Sequence, residues 1–391
     1  MSAKPRHKHY FRCHYFFDGK DIFEDIFICV ENGKFEKIAP YNTINKKDFQ
    51  EQIEAVYLLS PLFTDLQVNG LGGVQFNNDP SLECLQIMAE TQIKLGTYYF
   101  LPTLITDSTT VLKQAYEAVV QFQNENGKHS NIIGLHLEGP HLSISKKGAH
   151  APEHIRPMSQ DDLIYYIKTH EEVGLLKLTI APESVTLQQT QMLAEAGIYL
   201  SLGHTNCDYE TAIAYFNAGV KGVTHLYNAM SGLSHRAPGL VGAALTHENL
   251  NIGLIADGHH IHTGALKLAL SILNKQANPF LVTDAMAPLG TSLAYFELND
   301  RIIMNEHDRL TLEDGTLAGA NVALPKMVKY CQDHKIASPI DILKMVTLNP
   351  LNALGLNDQD FTLKENTAAN FNIFNENWEQ IDVYIKGKRY N

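Results

Sequence analysis

Eight short apolar runs, each set off from the next by a polar or amphipathic stretch, dominate residues 61–286. They read PLFTDLQVN (61–69), TYYFLPTLI (97–105), IIGLHLE (132–138), LKLTIAPE (176–183), IYLSLGH (198–204), KGVTHLY (221–227), NIGLIAD (251–257) and FLVTDAM (280–286). Near-continuous apolar runs of this length suit strands buried on both faces. The intervening SLECLQIMAETQIKLG and YETAIAYFNAG carry helical spacing, and the second ends on a glycine suited to a helix C-terminus. Strands alternating with helices form parallel sheets. Eight such units predict an α/β fold in which a (β/α)8 TIM-like barrel occupies residues 60–349.

The two ends have another texture. Residues 10–59 and the stretch ANFNIFNENWEQIDVYIKGKRY hold short β-branched and aromatic runs broken by Asn-Gly, Asn-Glu-Asn and Lys-Gly turns. They predict a small β-sandwich built from both termini, 1–59 plus 350–391, with the barrel inserted between them and Trp378 in the sandwich core.

The net charge of −12 argues against nucleic acid as a partner, since phosphate contacts need clustered Lys and Arg. No apolar run is long enough to span a membrane, and the basic N-terminus lacks the apolar core of a signal peptide. Five scattered cysteines, without zinc or redox spacing, point to a reducing, cytoplasmic setting. His7, His9 and His14 read as solvated or strand-face residues, and Lys146 and Lys147 as a solvated loop.

In a barrel of this kind, chemistry gathers at the C-terminal strand ends. The first run ends on Asp65, Gln67 and Asn69, the third on Glu138, the fifth on His204 and the sixth on His225. The seventh ends on Asp257, followed by His259 and His260, and the eighth on Asp284. Packing alone does not explain apolar strands that end repeatedly in acids and imidazoles. His204 and His225 are one helix and one strand apart, so they end adjacent strands and share a mouth with Glu138. Two imidazoles, one carboxylate and an open position make a catalytic divalent-metal set. Asp284 could be a fourth ligand, a partner to a ligand or a general base. The last fits best, because a metal acidifies water and a nearby carboxylate can move its proton.

At these residues the chain resembles the amidohydrolase superfamily and, within it, the N-acetylglucosamine-6-phosphate deacetylase family. The resemblance rests on DLQVNGLGGVQFN (65–77), HLEGPHLSISKKGAH (136–150), SLGHTNCDYETA (201–212), THLYNAMSGLSHRAPGLVGAAL (224–245), IADGHHIH (255–262), LVTDAMAPLG (281–290), TLAGA (316–320) and TLNPLNALGL (347–356). It implies the same barrel-in-sandwich architecture. It also implies one divalent ion per subunit, zinc first with iron, cobalt or another divalent ion as alternatives, on Glu138, His204 and His225. Asp284 matches the family's catalytic aspartate, and Ala149 and His150 match positions that hold the acetyl carbonyl and sugar. Gln67 and Asn69 match amides that stand where binuclear relatives carry the His-x-His of a second metal.

The implied reaction is hydrolysis of a linear amide, the acetamide of N-acetylglucosamine 6-phosphate, in amino-sugar metabolism. Arg236, His260 and the Asn228-Ala229 turn match phosphate-binding positions, and Leu317, Ala318 and Gly319 match a substrate-contacting segment. His259 and His262 remain alternatives to His260. The family also implies a homodimer, with some phosphate contacts coming from the neighbouring subunit. Two other functions remain open: a deacetylase for the galacto epimer, and a non-catalytic sugar-phosphate binder. His141 and Asn321 depart from the family pattern, which carries an aromatic or apolar residue at the first position and commonly a small hydroxyl residue at the second.

Overall fold

The computed structural model describes residues 8–45, 53–356 and 361–390, so His7 lies outside the described residues. The chain forms two compact units, Met1–Thr64 with Gln92–Tyr98 and Leu324–Asn391, and Asp65–Thr91 with Tyr99–Ala323.

The second unit carries most of the barrel. Its strands run in the order Phe63–Val68, Thr97–Ile105, Leu135–Glu138, Leu176–Ile180, Tyr199–Leu202, Gly222–Val223, Asn251–Leu254 and Asn278–Leu281. Each falls in or beside one of the eight apolar runs. The last strand returns to the first through a parallel bridge between Val68 and Ala285. Asp284 N–H donates to the Gln67 carbonyl at 3.0 Å and Asn69 N–H to the Ala285 carbonyl at 2.9 Å. The sixth strand is shorter than its apolar run, because His225 and Tyr227 have φ of 32° and 80° and leave the β region.

The barrel interior is more polar than the branched aliphatic filling usual in such folds. Buried His136 lies 3.1 Å from Thr103 Oγ1 through Nδ1 and 2.7 Å from Thr179 Oγ1 through Nε2. Thr179 continues to Thr224 at 2.8 Å, and Thr224 donates to Ser201 at 2.8 Å. Four neighbouring strands and the second strand are thus tied by side chains whose polar atoms are paired. Lys177 is also buried, donates to the Leu66 carbonyl at 3.3 Å and is pushed down to about 8 by burial.

After the eighth strand comes an antiparallel sheet of Tyr295–Leu298, Arg301–Glu306, Arg309–Thr311 and Leu317–Ala320. The eight-unit pattern does not predict it. Its signal lies in two tight turns, Asn299-Asp300 and His307-Asp308, whose residues all have φ between 50° and 64°. Polar pairs with positive φ are what two-residue hairpins need.

In the first unit, both termini enter one seven-stranded sheet. Glu54–Pro61 pairs in parallel with Lys8–Phe17 and antiparallel with Phe371–Phe374, which joins the two ends of the chain. Phe11, Phe16, Ile28, Phe35, Phe371 and Tyr384 form its main apolar cluster, with Phe371 and Tyr384 stacked at 4.6 Å. A second cluster holds Phe27, Cys29 and Ile44. His9 and His14 are strand residues with aromatic neighbours, and Trp378 is buried. This unit also takes the helices Leu324–Asp333, Pro339–Val346 and Leu348–Ala353, so it resumes at Leu324 rather than at 350. Lys329 Nζ, which donates to the Asn377 carbonyl at 2.9 Å, ties the first of them to the C-terminal segment.

Candidate active site

His204, His225 and Asp284 share an uncommon backbone conformation, with φ of 48°, 32° and 52°. For residues other than glycine this costs roughly 1–3 kcal/mol each and persists only where neighbours enforce it. Here the neighbours are hydrogen bonds. Ser143 N–H donates to the His204 carbonyl at 2.9 Å, Asn228 N–H to the His225 carbonyl at 3.0 Å, and Asp284 N–H to Gln67. Each strand leaves the ladder where its functional side chain is needed.

The three side chains of the expected metal set converge. Glu138 Oε1 lies 3.1 Å from His204 Nε2 and 2.9 Å from His225 Nε2, and the two nitrogens are 3.1 Å apart. This is the one group of three such side chains among the described residues with ligand atoms within 4.8 Å of one another. Three ligands about 2.0–2.1 Å from a tetrahedral ion stand roughly 3.3 Å apart, so the set fits a divalent ion after a small expansion. His204 Nδ1–H donates to the Lys146 carbonyl at 2.8 Å, which fixes the tautomer that leaves Nε2 as a ligand. Burial opposes the charge of Glu138, but the facing His204 and His225 outweigh it and hold the carboxyl well below its usual range. Burial opposes protonation of His225, but Glu138 prevails and raises it.

Asp284 sits beside this set. Asn69 Nδ2 donates to Asp284 Oδ1 at 2.7 Å, and Gln67 Nε2 approaches both Asp284 Oδ1 and Glu138 Oε2 at 3.1 Å. Burial and then the charge of Glu138 raise the Asp284 carboxyl, against the pull of His225 and Asn69. Asp65 lies apart from the ligand atoms. Its Oδ2 accepts from Thr283 Oγ1 at 2.5 Å, and burial pushes it up to about 7.

Glu138, His204, His225 and Asp284 floor a cavity of ≈ 400 Å³ whose walls include Ala149, His150, Asn228, Ala229, His260, Leu317 and Gly319. His150 Nδ1 accepts from Thr106 N–H at 3.2 Å, so the neutral ring carries its proton on Nε2. Burial, and next the neighbouring His204, lower this imidazole well below its ordinary value and keep it neutral. Gly139 permits the arrangement: it has φ of 91°, and a Cβ there would lie 2.2 Å from Thr106 Oγ1.

The three histidines after the seventh strand have different surroundings. His260 lines the cavity and is oriented by Asp257, whose Oδ2 lies 2.6 Å from His260 Nδ1. His262 accepts from Gly264 N–H and caps the helix Thr263–Gln276, while His259 is exposed. Ala318 packs in an apolar cluster between its two lining neighbours. Arg236 is exposed and is not among the residues lining the cavity. Lys146, read from sequence as a solvated loop residue, is on the wall with Ile105, Tyr227 and Met286. Nothing in the local pattern of KKG shows which way that loop folds.

Of the two departures, Asn321 donates to Asp308 Oδ1 at 2.9 Å, away from the ligands. His141 is buried, donates from Nδ1 to the Arg156 carbonyl at 3.0 Å and accepts at Nε2 from Tyr166 at 3.1 Å. Burial lowers it to about 4. With a folded pKa below the unfolded one of about 6.5, its contribution is present above pH 6.5 and lost as pH falls toward 4, a swing of roughly 3 kcal/mol. His141→Phe is therefore expected to cost about 1–3 kcal/mol at pH 7, where two buried polar groups lose a partner. That gap should close by pH 4.5, read from urea midpoints at both pH values.

The amidohydrolase family model matches residues 58–390. An N-acetylgalactosamine-6-phosphate deacetylase of Shewanella sp. (strain ANA-3) is 39% identical over 288 residues, 74% of this chain and 72% of the relative. An N-acetylglucosamine-6-phosphate deacetylase of Haemophilus influenzae is 34% identical over 376 residues, 94% and 95% of the two chains. The crystal structure of the N-acetylglucosamine-6-phosphate deacetylase from Pasteurella multocida superimposes with a TM-score of 0.87 at 30% identity, covering 98% of this chain and 99% of that one.

Proposed function

This chain belongs to the amidohydrolase family, and from that premise we infer that it hydrolyses the acetamide of N-acetylglucosamine 6-phosphate to acetate and glucosamine 6-phosphate. It is a deacetylase of amino-sugar metabolism, acting on a linear amide C–N bond. The observation that carries the reading is the convergence of Glu138, His204 and His225 beside an Asp284 whose Oδ1 is already engaged.

A divalent ion held by Glu138, His204 and His225 would polarise the amide carbonyl and make water acidic enough to attack. Asp284 does the proton work. Its Oδ1 is turned to Asn69 and Gln67, which leaves Oδ2 to take the proton of the attacking water. The same carboxyl then delivers that proton to the leaving nitrogen as the C–N bond breaks. His150 donates from Nε2 to the carbonyl oxygen as negative charge builds there.

Zinc is our proposed ion, since the donor set of one carboxylate and two imidazoles suits it. His260 and the Asn228-Ala229 backbone bind the phosphate, and Ala149, Leu317 and Gly319 bound the sugar. Ala318 supports that segment from the apolar side. Arg236, exposed and off the cavity wall of its own chain, serves the phosphate of a second copy in a homodimer. We place the protein in the cytoplasm, a reading supported by five buried cysteines that are all free. No helix among the described residues is long and apolar enough to cross a membrane.

The test is acetate release from N-acetylglucosamine 6-phosphate, its galacto epimer and the unphosphorylated sugar, before and after chelation. We expect turnover that needs the phosphate, stops on chelation and returns with added ion. The 39% identity to an N-acetylgalactosamine-6-phosphate deacetylase makes the epimer the second reading. A higher kcat/KM for it would favour that reading. No acetate from any of the three, in folded and ion-loaded protein, would sink both.

A further inference from the structure

We propose that Lys177 is a positioning residue whose buried ammonium is a positive charge set under Glu138 and Asp284, supporting their negative charge and limiting how tightly the site holds its cation. The inference rests on the reading of Glu138, His204 and His225 as the ion site.

Strand geometry sends this side chain inward. Lys177 lies in the fourth strand, Leu176–Ile180, where it pairs with His136 and where Thr179 pairs with Glu138. Side chains two apart on a strand share a face. The Thr179 hydroxyl meets His136 and Thr224 inside the barrel, so Lys177 points into the same interior, one strand step below the level of Glu138. Its Nζ donates to the Leu66 carbonyl at 3.3 Å. Leu66 belongs to the first strand, and the second and third strands stand between the two in the sheet. The side chain therefore crosses the interior and sets its charge beside the segment that carries Asp65 and Gln67.

Packing does not call for an ammonium there. Lys177 is 2% exposed, and its three N–H donors have one partner among the described residues, at the long end of the hydrogen-bond range. A methionine would fill a similar volume without the cost of burying a charge. What the ammonium does have is acids. Burial drives its proton off, and the charges of Glu138, Asp65 and Asp284 hold it on, which leaves the amine at about 8. The attraction is mutual. The ammonium favours the charged forms of those acids, and it disfavours a charge on His136. A cation on Glu138 meets the same field with the opposite sign, through an interior that screens weakly.

Neutral and charged replacements separate this role from packing. Zinc affinity of the chelated full chain, read at pH 7.5 by competition with a chromogenic chelator, should rise roughly 10- to 100-fold in Lys177→Met. Lys177→Arg, which keeps the charge, should stay within about threefold of the parent. A lysine that only braces the barrel predicts the reverse, because a loosened site holds its ion less well. The thermal midpoint of ion-free protein is the second reading. The folded pKa of about 8 lies below the unfolded 10.5, so the parent carries the cost of this buried charge below pH 8 and loses it as pH rises toward 10.5. Lys177→Met should therefore melt at or above the parent at pH 8, with a lead that narrows by pH 10. Lys177→Gln takes its place if it does not fold, and failure of both to fold would overturn the proposal in favour of a structural lysine. Unchanged or weaker zinc binding in the neutral variant would also overturn it. A parent that binds no zinc would overturn the ion-site reading, and the midpoints, which need no ion, would still test the buried charge.

Discussion

Asp284→Asn is expected to lower kcat roughly 100- to 10,000-fold, the range that a positioned general acid–base contributes. The substitution is mild in shape. Asn can keep its oxygen toward Asn69 Nδ2 and Gln67 Nε2, the two donors that hold Oδ1 in the parent. What it cannot do is accept a proton. Ion content, KM and thermal midpoint should therefore stay close to those of the parent while turnover collapses. The pH profile gives a second reading. Burial and the Glu138 charge raise the Asp284 carboxyl. In the parent, kcat/KM should fall as pH drops and this carboxylate takes up a proton, and the residual rate of the variant should lack that acid limb. A variant with kcat within tenfold of the parent would remove Asp284 from the mechanism.

Glu138→Gln is expected to remove the ion itself. Glu138 Oε1 is the atom both imidazoles face, at 2.9 and 3.1 Å, and it is the charged member of the set. A neutral amide offers a weaker ligand and can turn a donor toward the two nitrogens. Zinc affinity should fall on the order of a thousandfold, and with it activity at matched ion concentration. Stability supplies an independent measurement. An ion bound only to the folded state at 1,000 times its dissociation constant adds about 4 kcal/mol. The thermal midpoint of the parent should rise with zinc and drop on chelation, and that of Glu138→Gln should respond to neither. Chelated parent should recover activity when zinc returns, and the variant should not. A zinc-dependent midpoint shift of equal size in the two proteins would mean that the ion binds elsewhere.

The site was more legible in the sequence than the fold around it. Glu138, His204 and His225 end apolar runs, and a parallel barrel sends such ends to one mouth, so their meeting followed from pattern and geometry. The eight-unit pattern does not contain the hairpins at 295–320, whose signal is confined to the Asn299-Asp300 and His307-Asp308 turns. The order of Asp257, His259, His260 and His262 left the choice of histidine open. In the structure a helix takes His262 as its cap, and His260, held by Asp257, lines the cavity.

By itself the sequence determined the eightfold repeat, the joining of both ends in one β unit and the residue types at the strand ends. Each is a local property, set by side-chain polarity at a spacing that the strand or helix repeat dictates. Only the tertiary structure decided what those end groups do to one another. That Gln67 bridges two acids, that Lys146 lends its carbonyl to His204 and that Thr106 sets the tautomer of His150 depend on contacts between residues 44 or more positions apart. Hydrogen bonds of this kind turn on a few tenths of an ångström, and that precision exists only once the barrel has closed and its strands are in register.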